Sequence, residues 1–375
     1  MQSVIAQRAD LPGRGTLHDP ANRFDTQHIE AFDDGWDRLE EAAPPPQTVL
    51  IRDATRSILS WNESPDLGFD RSVNPYRGCE HGCVYCYARP SHAYLGFSPG
   101  LDFETKLIFK PDAAGLLERE ISRKSYQPAP IMLGSNTDPY QPVERQLRLT
   151  RAVLEVLERY NHPVTIVTKS AGVLRDIDIL GRMAARNLVR VHLSITTLDP
   201  RLARAMEPRA ATPLRRVQAI AELSAAKIPV GVLAAPMIPG LNDAELETIL
   251  RDSAQAGALY ANAILLRLPL EVRDLMTDWL NRIVPDRAAR ILALIREVRG
   301  GELNDSTFGR RFTGQGPYAA LLTARFKRAA RQHGLERTPP ALDCTGFIRP
   351  HSRTSSRGNA SGSAPVSAQL SLFDL

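Results

Sequence analysis

Five short runs rich in aliphatic and β-branched residues recur through the middle of this 375-residue chain, and they constrain its fold more than any other feature. They are PIMLG (130–134), VTIVTK (164–169), VRVHLSIT (189–196), IPVGVLAA (228–235) and YANAILLRL (260–268). Their centres lie about 25–40 residues apart, the length of a strand–helix–strand unit. Each is nearly continuous in apolar character, as parallel strands are when helices cover both faces. Between them the period changes. VERQLRLTRAVLEVLERY (143–160) predicts one helix with Val143, Leu147, Val153, Leu154, Leu157 and Tyr160 on its apolar face. TPLRRVQAIAEL (212–223) opens on a Thr cap and a Pro at the first helical position, with Leu214, Val217, Ile220 and Leu223 turned inward. Asn242 and Glu245 have the spacing of a capping box. A sixth strand just before Cys79 gives about six units. That predicts an α/β fold, either an open or partial (β/α)6 TIM-type barrel or a doubly wound sheet. In both, function gathers at the C-terminal ends of the strands.

Outside this region the pattern changes. Residues 1–55 are polar, broken by EEAAPPPQ (40–47), and read as an irregular arm. Residues 56–285 form the core, and 286–350 read as added helices outside the barrel, RAARILALIREV and PYAALLTARFKRAARQHG. Residues 351–368 are rich in Ser, Gly and Ala and read as a flexible linker, so both termini are expected to be disordered. Apolar residues at 43% and charged residues at 24% are ordinary for a globular protein. No stretch approaches the ~20 apolar residues of a membrane span, and the N-terminus has no secretory apolar core, so the chain is expected in the cytoplasm. The net charge is +5, with −5 in residues 1–50 (4 Lys+Arg, 9 Asp+Glu) and +5 in residues 301–375 (10 against 5). The excess is mild, and no aromatic cluster suited to base stacking stands out.

Three of the four cysteines, Cys79, Cys83 and Cys86, fall within eight positions as C-x3-C-x2-C. Thiols grouped on one loop in a reducing compartment point to metal or redox chemistry. Three thiolates suit a cubane iron–sulfur cluster with one iron left open, and an open position marks a catalytic centre. The other reading is structural zinc, completed by His81 or Cys344, in a nucleic-acid-binding module without catalysis. Zinc sites usually use C-x2-C knuckles, and the wider first gap fits them poorly.

This spacing, with Tyr85 before the last Cys, resembles the radical S-adenosylmethionine (radical SAM) superfamily. NPYRGCEHGCVYCYARPSH, GSNTDPYQPVE, TKS, RDIDIL, SITTLD, EPRA and PMIPGLND, in order over residues 65–335, resemble its branch related to spore photoproduct lyase, the DNA repair photolyase-like proteins. The resemblance implies a partial barrel, a 4Fe-4S cluster on the three cysteines, S-adenosylmethionine on the open iron and an electron donor as partner. It implies reductive cleavage to a 5′-deoxyadenosyl radical that abstracts hydrogen from substrate. Nucleic acid is the expected substrate; protein, tRNA or a small molecule is the alternative. Cofactor contacts are expected from Tyr85, from Ser135, Asn136, Thr137 and Asp138, and from Lys169, Ser194 and Thr196. Lys169 draws notice as a cation with no obvious partner. Tyr140 is a candidate relay, and Gln141 and Glu144 could face substrate, although Glu144 also suits a helix start. Spore photoproduct lyase carries a hydrogen-donating Cys where this chain has Gly134.

The chain ends in QLSLFDL (369–375), which resembles the peptide that binds the bacterial sliding clamp. Gln369 would meet polar groups at a pocket edge, and Leu370, Leu372 and Phe373 would fill an apolar cleft.

Overall fold

The computed structural model describes residues 13–16, 19–25 and 46–350. Its strands are β1 (Val49–Arg52), β2 (Leu59–Trp61), β3 (Arg71–Val73), β4 (Tyr76–Arg77), β5 (Lys106–Phe109), β6 (Ile131–Leu133), β7 (Val164–Thr168), β8 (Val189–Ser194), β9 (Val230–Met237) and β10 (Tyr260–Leu265). The helices are α1 (Asp102–Thr105), α2 (Ala113–Ile121), α3 (Glu144–Leu147), α4 (Leu149–Arg159), α5 (Ile177–Ala184), α6 (Pro200–Met206), α7 (Pro213–Ala225), α8 (Leu246–Gln255), α9 (Val272–Ile283), α10 (Pro285–Val298) and α11 (Gly316–Gln332).

The main sheet has seven strands in the order β10-β9-β8-β7-β6-β3-β2. All its pairings are parallel except β2 against β3; β6 to β10 are the five apolar runs, and β3 is the sixth parallel strand, while the strand directly before Cys79, β4, belongs to a second sheet. Among the described residues β10 and β2 do not pair, and the barrel stays open. Ile131, Leu133, Ile166, Val191, Leu193 and Val232 are fully buried, as continuous apolar runs require. A small sheet, β1-β5-β4, lies beside it, and its β1 falls within the stretch read as an irregular arm.

Several local expectations give way to tertiary contacts. The single helix over 143–160 is two, because Arg148 turns left-handed (φ 53) between α3 and α4. The Glu144 carboxylate bends across that break to accept from Thr150 N (3.1 Å) and Arg151 N (3.4 Å), serving the bare amides of α4. In α7 Pro213 sits at the first position as expected, but Leu214 is 66% exposed and Arg216 is buried in its stead. Asn242 and Glu245 form no capping box. Asn242 donates to Thr196 O (2.6 Å) and Pro236 O (2.9 Å), and Glu245 accepts from Thr197 Oγ1 and Leu198 N (both 2.6 Å).

The helices after the core are not appendages. α9, absent from the sequence reading, joins α10 in a second apolar core. There Met276, Trp279, Leu280, Ile291 and Ile295 pack with Cys83, Val84 and Tyr85. α11 lays Ala319, Leu322, Ala329 and Ala330 into the main core. The C-terminal helices therefore seat the cysteine loop and cover the end of the sheet.

His92 and His162 are fully buried, and desolvation pushes each down to about 4 despite hydrogen bonds to Lys106 O and Pro163 O. The unfolded chain protonates histidine near pH ~6.5 while the fold keeps these rings neutral, so the unfolded state binds more protons across that window. Their contribution is complete above about 6.5 and lost as pH falls toward 4, by up to ~3 kcal/mol each. The melting temperature should drop between pH 7 and 5, above the carboxylate range, and His162→Gln should flatten that slope. A flat profile to pH 5 would contradict it.

Candidate active site

Gly78 opens the cysteine loop at φ +81, where a Cβ would lie 2.9 Å from Phe103 O, so only glycine fits without a shift. Cys79 N bonds Phe103 O (2.9 Å), Val84 N bonds Met206 O (3.1 Å) and Cys86 N bonds Cys83 O (3.2 Å). Gln141, fully buried, clamps the loop from one side, accepting from Glu80 N (2.9 Å) and donating to Gly78 O (3.2 Å). Arg89 holds it from beneath, donating to Cys83 O (2.9 Å), Gly100 O (2.8 Å) and the buried Glu104 (2.6 Å). Glu104 also accepts from Gly15 N (2.9 Å) and from Thr16 N and Oγ1 (both 3.0 Å), which ties part of the N-terminal arm to the loop.

The three thiols are free, with Cys79 and Cys83 buried and Cys86 half-buried. Burial pushes all three up; Asp138 and the other two thiols add to it at Cys79, while Arg89 opposes it at Cys86. They are close enough to feel one another's charge. Yet among the described residues no three His, Cys, Asp or Glu side chains gather tightly enough to hold a single metal ion. Zinc would need four ligands at about 2–2.3 Å from one point. Neither proposed fourth ligand is placed for it. His81 faces Asp138 (Nδ1 to Oδ2, 3.4 Å). Cys344 lies beside Leu342 O (3.8 Å), in a segment whose Asp343 N bonds Asn187 O (2.9 Å), just before β8 begins and so at the opposite end of the sheet. Three thiols on one loop, near one another but not converged on one point, fit a cluster that offers each a separate iron.

At the ends of β7, β8 and β9 a buried polar network faces this loop. Lys169 Nζ donates to Ser194 Oγ (2.6 Å), Thr196 Oγ1 (3.2 Å) and Ala235 O (3.1 Å), and lies 3.4 Å from Glu207 Oε1. Lys169 therefore has a partner that its sequence position did not reveal. Glu207 also pairs with the buried Arg216 and accepts from the Tyr85 hydroxyl and Thr196 Oγ1 (2.6 Å). Burial alone would push the Glu207 carboxyl up, but Arg216 and Lys169 overcome it and hold it far below the usual carboxylate range. The Tyr85 ring lies under Lys169 Nζ at 5.6 Å. Within this network two cations meet the single Glu207 carboxylate, while Asp138 faces the backbone of Lys169 from the neighbouring turn. Four expected contacts, Tyr85, Lys169, Ser194 and Thr196, thus come together. Glu207 and Arg216 were missed, although an acid at the end of α6 opposes the helix dipole and an Arg on the inner face of α7 breaks its apolar stripe.

The turn after β6 sits on the same rim. Ser135 Oγ meets Asn74 Nδ2 (3.2 Å), Asn136 N bonds Asn74 Oδ1 (3.1 Å), and Thr137 Oγ1 is taken by Tyr76 O (3.0 Å). Asp138 is held by Thr168 Oγ1 and Lys169 N (both 2.7 Å) and by Tyr140 N (2.8 Å), so it knits β6 to β7. Tyr87, 48% exposed, bridges the cysteine loop to the Ser135 carbonyl. Tyr140 is not on the rim. It is buried in the main core with Arg175 5.7 Å from its ring. Glu144 is likewise internal, taken by Tyr76, Arg175 and the amides of α4.

An open β/α sheet with six parallel strands and a three-thiol loop at its C-terminal rim is a radical SAM core. The Radical SAM superfamily model matches residues 73–253, and the chain belongs to that superfamily, whose enzymes use a 4Fe-4S cluster and S-adenosylmethionine. The uncharacterized protein Rv2578c of Mycobacterium tuberculosis is 36% identical over 250 residues, 66% of this chain and 73% of that one. The uncharacterized protein MJ0683 of Methanocaldococcus jannaschii is 28% identical over 174 residues, 46% of this chain and 62% of that one. Among solved structures, spore photoproduct lyase complexed with dinucleoside spore photoproduct has the same fold: TM-score 0.54, 16% identity, 76% of this chain and 79% of that one. A mutant form with bound AdoMet and the same dinucleoside gives a TM-score of 0.55 at 16% identity over the same shares. No helix among the described residues is long and apolar enough to cross a membrane.

Proposed function

We propose that this radical SAM enzyme acts on nucleic acid, in a reaction of the lesion-repair kind. The observation that carries this reading is the fold shared across three quarters of the chain with a lyase whose structures include a bound dinucleoside lesion. When bound, the cluster and S-adenosylmethionine supply reductive cleavage and a 5′-deoxyadenosyl radical. The chain's residues supply position. Cys79, Cys83 and Cys86 hold the cluster. Lys169, with Arg216 behind it, offers positive charge to the methionine carboxylate, and Glu207 keeps Lys169 in place. Ser135 and Asn136 stand where the methionine amino group would be received, and Ser194 and Thr196 where a carboxylate or ribose would.

One observation favours a second reading. Gly134 has φ +91, and a Cβ there would come within 2.2 Å of Val167 O, so a thiol cannot stand at this position without moving the backbone. Radical modification of RNA, protein or a small molecule needs no returning thiol hydrogen. With reconstituted cluster, dithionite and S-adenosylmethionine, 5′-deoxyadenosine should form only when ultraviolet-damaged DNA is present. Formation only with tRNA would support the second reading, and formation independent of any substrate would defeat both.

The clamp-docking residues Gln369, Leu370, Leu372 and Phe373 lie outside the described residues. Their sequence pattern supports recruitment to DNA through a tethered tail. Deleting 369–375 should abolish binding to purified sliding clamp and leave S-adenosylmethionine cleavage intact; clamp binding by the truncated chain would end this reading.

A further inference from the structure

The barrel's open seam carries an arginine that the rest of the fold does not use. Arg267 follows β10 by two residues, at the same end of the sheet as Lys169. Its guanidinium carbon lies 6.0 Å from the centre of the Tyr87 ring and 5.3 Å from that of Phe312. Its Nε is closed off from solvent and, among the described residues, has no hydrogen-bond partner; the side chain makes no ion pair either. Its neighbours differ. Arg299 donates to the carbonyls of Leu265 (3.0 Å), Leu266 (2.5 Å), Arg310 (3.2 Å) and Arg311 (2.9 Å). Arg311 grips both oxygens of Asp66 (2.9 and 2.5 Å), joining the two edges of the seam. Burial and Arg311 both work against the charge on Arg267, yet a guanidinium keeps its proton in proteins. Asp66 eases that cost from a distance, but among the described residues no side chain pairs with Arg267 directly or takes up its buried Nε, which leaves the desolvation only partly offset.

We propose that Arg267 anchors a backbone phosphate of a single-stranded or flipped-out nucleic-acid substrate, with Tyr87 and Phe312 as walls for the adjoining bases. This rests on the nucleic-acid reading above and adds a subsite to it. Three observations favour phosphate. The forked guanidinium touches aromatic rings but spends no described hydrogen bond on the fold, which leaves its N–H groups for phosphate oxygens. The aromatic rings beside the arginines are open to solvent, Tyr87 by 48% and Phe308, 4.8 Å from Arg311, by 50%, and solvent-open rings interleaved with arginines suit base stacking. Tyr87 directly follows Cys86, so a base resting on it would lie beside the cluster loop.

The test is fluorescence anisotropy under argon with the reconstituted full-length chain. The probes are a labelled oligodeoxynucleotide and an oligoribonucleotide of the same sequence, each across a salt series. Arg267→Gln should weaken binding at least tenfold and flatten the log–log salt slope by about one phosphate contact. Arg267→Lys should keep the slope. Arg267→Gln should melt no lower than the wild type, since it removes a poorly compensated buried charge, and should match it in S-adenosylmethionine affinity. Whichever oligonucleotide shows the Arg267-dependent slope identifies the source of the phosphate. If Arg267→Gln binds with unchanged affinity and slope, the subsite is wrong and the nucleic-acid reading stands. If the wild type binds neither probe even at low salt, the nucleic-acid reading itself falls.

Discussion

A Cys83→Ala variant should fold, bind little iron and release no 5′-deoxyadenosine above background. Cys83 packs into the core formed with α9 and α10, so losing one sulfur costs about 0.5–3 kcal/mol, well short of unfolding a chain with two extensive cores. The loss of chemistry is of another order, because two thiols cannot hold a cluster that the remaining ligand set leaves one iron short. Cys83→Ser, which keeps the volume, should fail equally. Cys344→Ala should change nothing, since Cys344 lies at the far end of the sheet. Iron and sulfide assays on all three variants, beside a melting curve, separate ligand loss from unfolding. Full iron content in Cys83→Ala, or its loss in Cys344→Ala, would contradict this assignment.

Glu207→Ala should be the most damaging change outside the cysteines. It removes one carboxylate from between Arg216, Lys169, Tyr85 and Thr196, and leaves a fully buried guanidinium facing an ammonium group. Breaking a buried pair on one side costs about 3–5 kcal/mol, a large part of a typical 5–15 kcal/mol stability. Because the fold depresses the Glu207 carboxyl, its contribution is present at neutral pH and lost only as pH falls below the ordinary carboxylate range. Lys169, released from Glu207, should also lose its orientation, so S-adenosylmethionine affinity should fall with stability. Glu207→Gln, which keeps the shape and loses the charge, should sit between. Denaturant midpoints measured under argon at equal m-values check this; a loss under 1 kcal/mol would mean that Arg216 finds another partner.

What the chain disclosed in one dimension follows from how local each feature is. Five of the six parallel strands were legible because well-covered strands are written as apolar runs, whereas β3, Arg-Ser-Val, carries no such run. The three candidate cluster ligands were legible because all lie on one loop, Tyr85 because it falls within their motif, and Lys169, Ser194 and Thr196 because polar residues closing apolar strands stand out. Glu207, Arg216, Arg89 and Gln141 were not, since each acts through a partner distant in sequence. The small sheet escaped because strands of two to four residues carry no period. Lys169 was misread as unpaired for the same reason that Glu207 was overlooked. Tyr140, singled out by the unusual motif DPYQPVE, has its ring in the main core and a buried hydroxyl with no hydrogen-bond partner among the described residues, a setting the sequence did not disclose. The aromatic rim was invisible for a third reason, as Tyr87, Phe308 and Phe312 come from two segments about 220 residues apart that meet only at the seam.

The central claim is that three thiols hold a cluster with one iron open to S-adenosylmethionine, and electron paramagnetic resonance of the reduced protein tests it most directly. The account predicts a cluster signal that changes shape and g-values when S-adenosylmethionine is added, in the wild type and in Cys344→Ala. A signal indifferent to S-adenosylmethionine, or a protein that takes up zinc and no iron under argon, would contradict it.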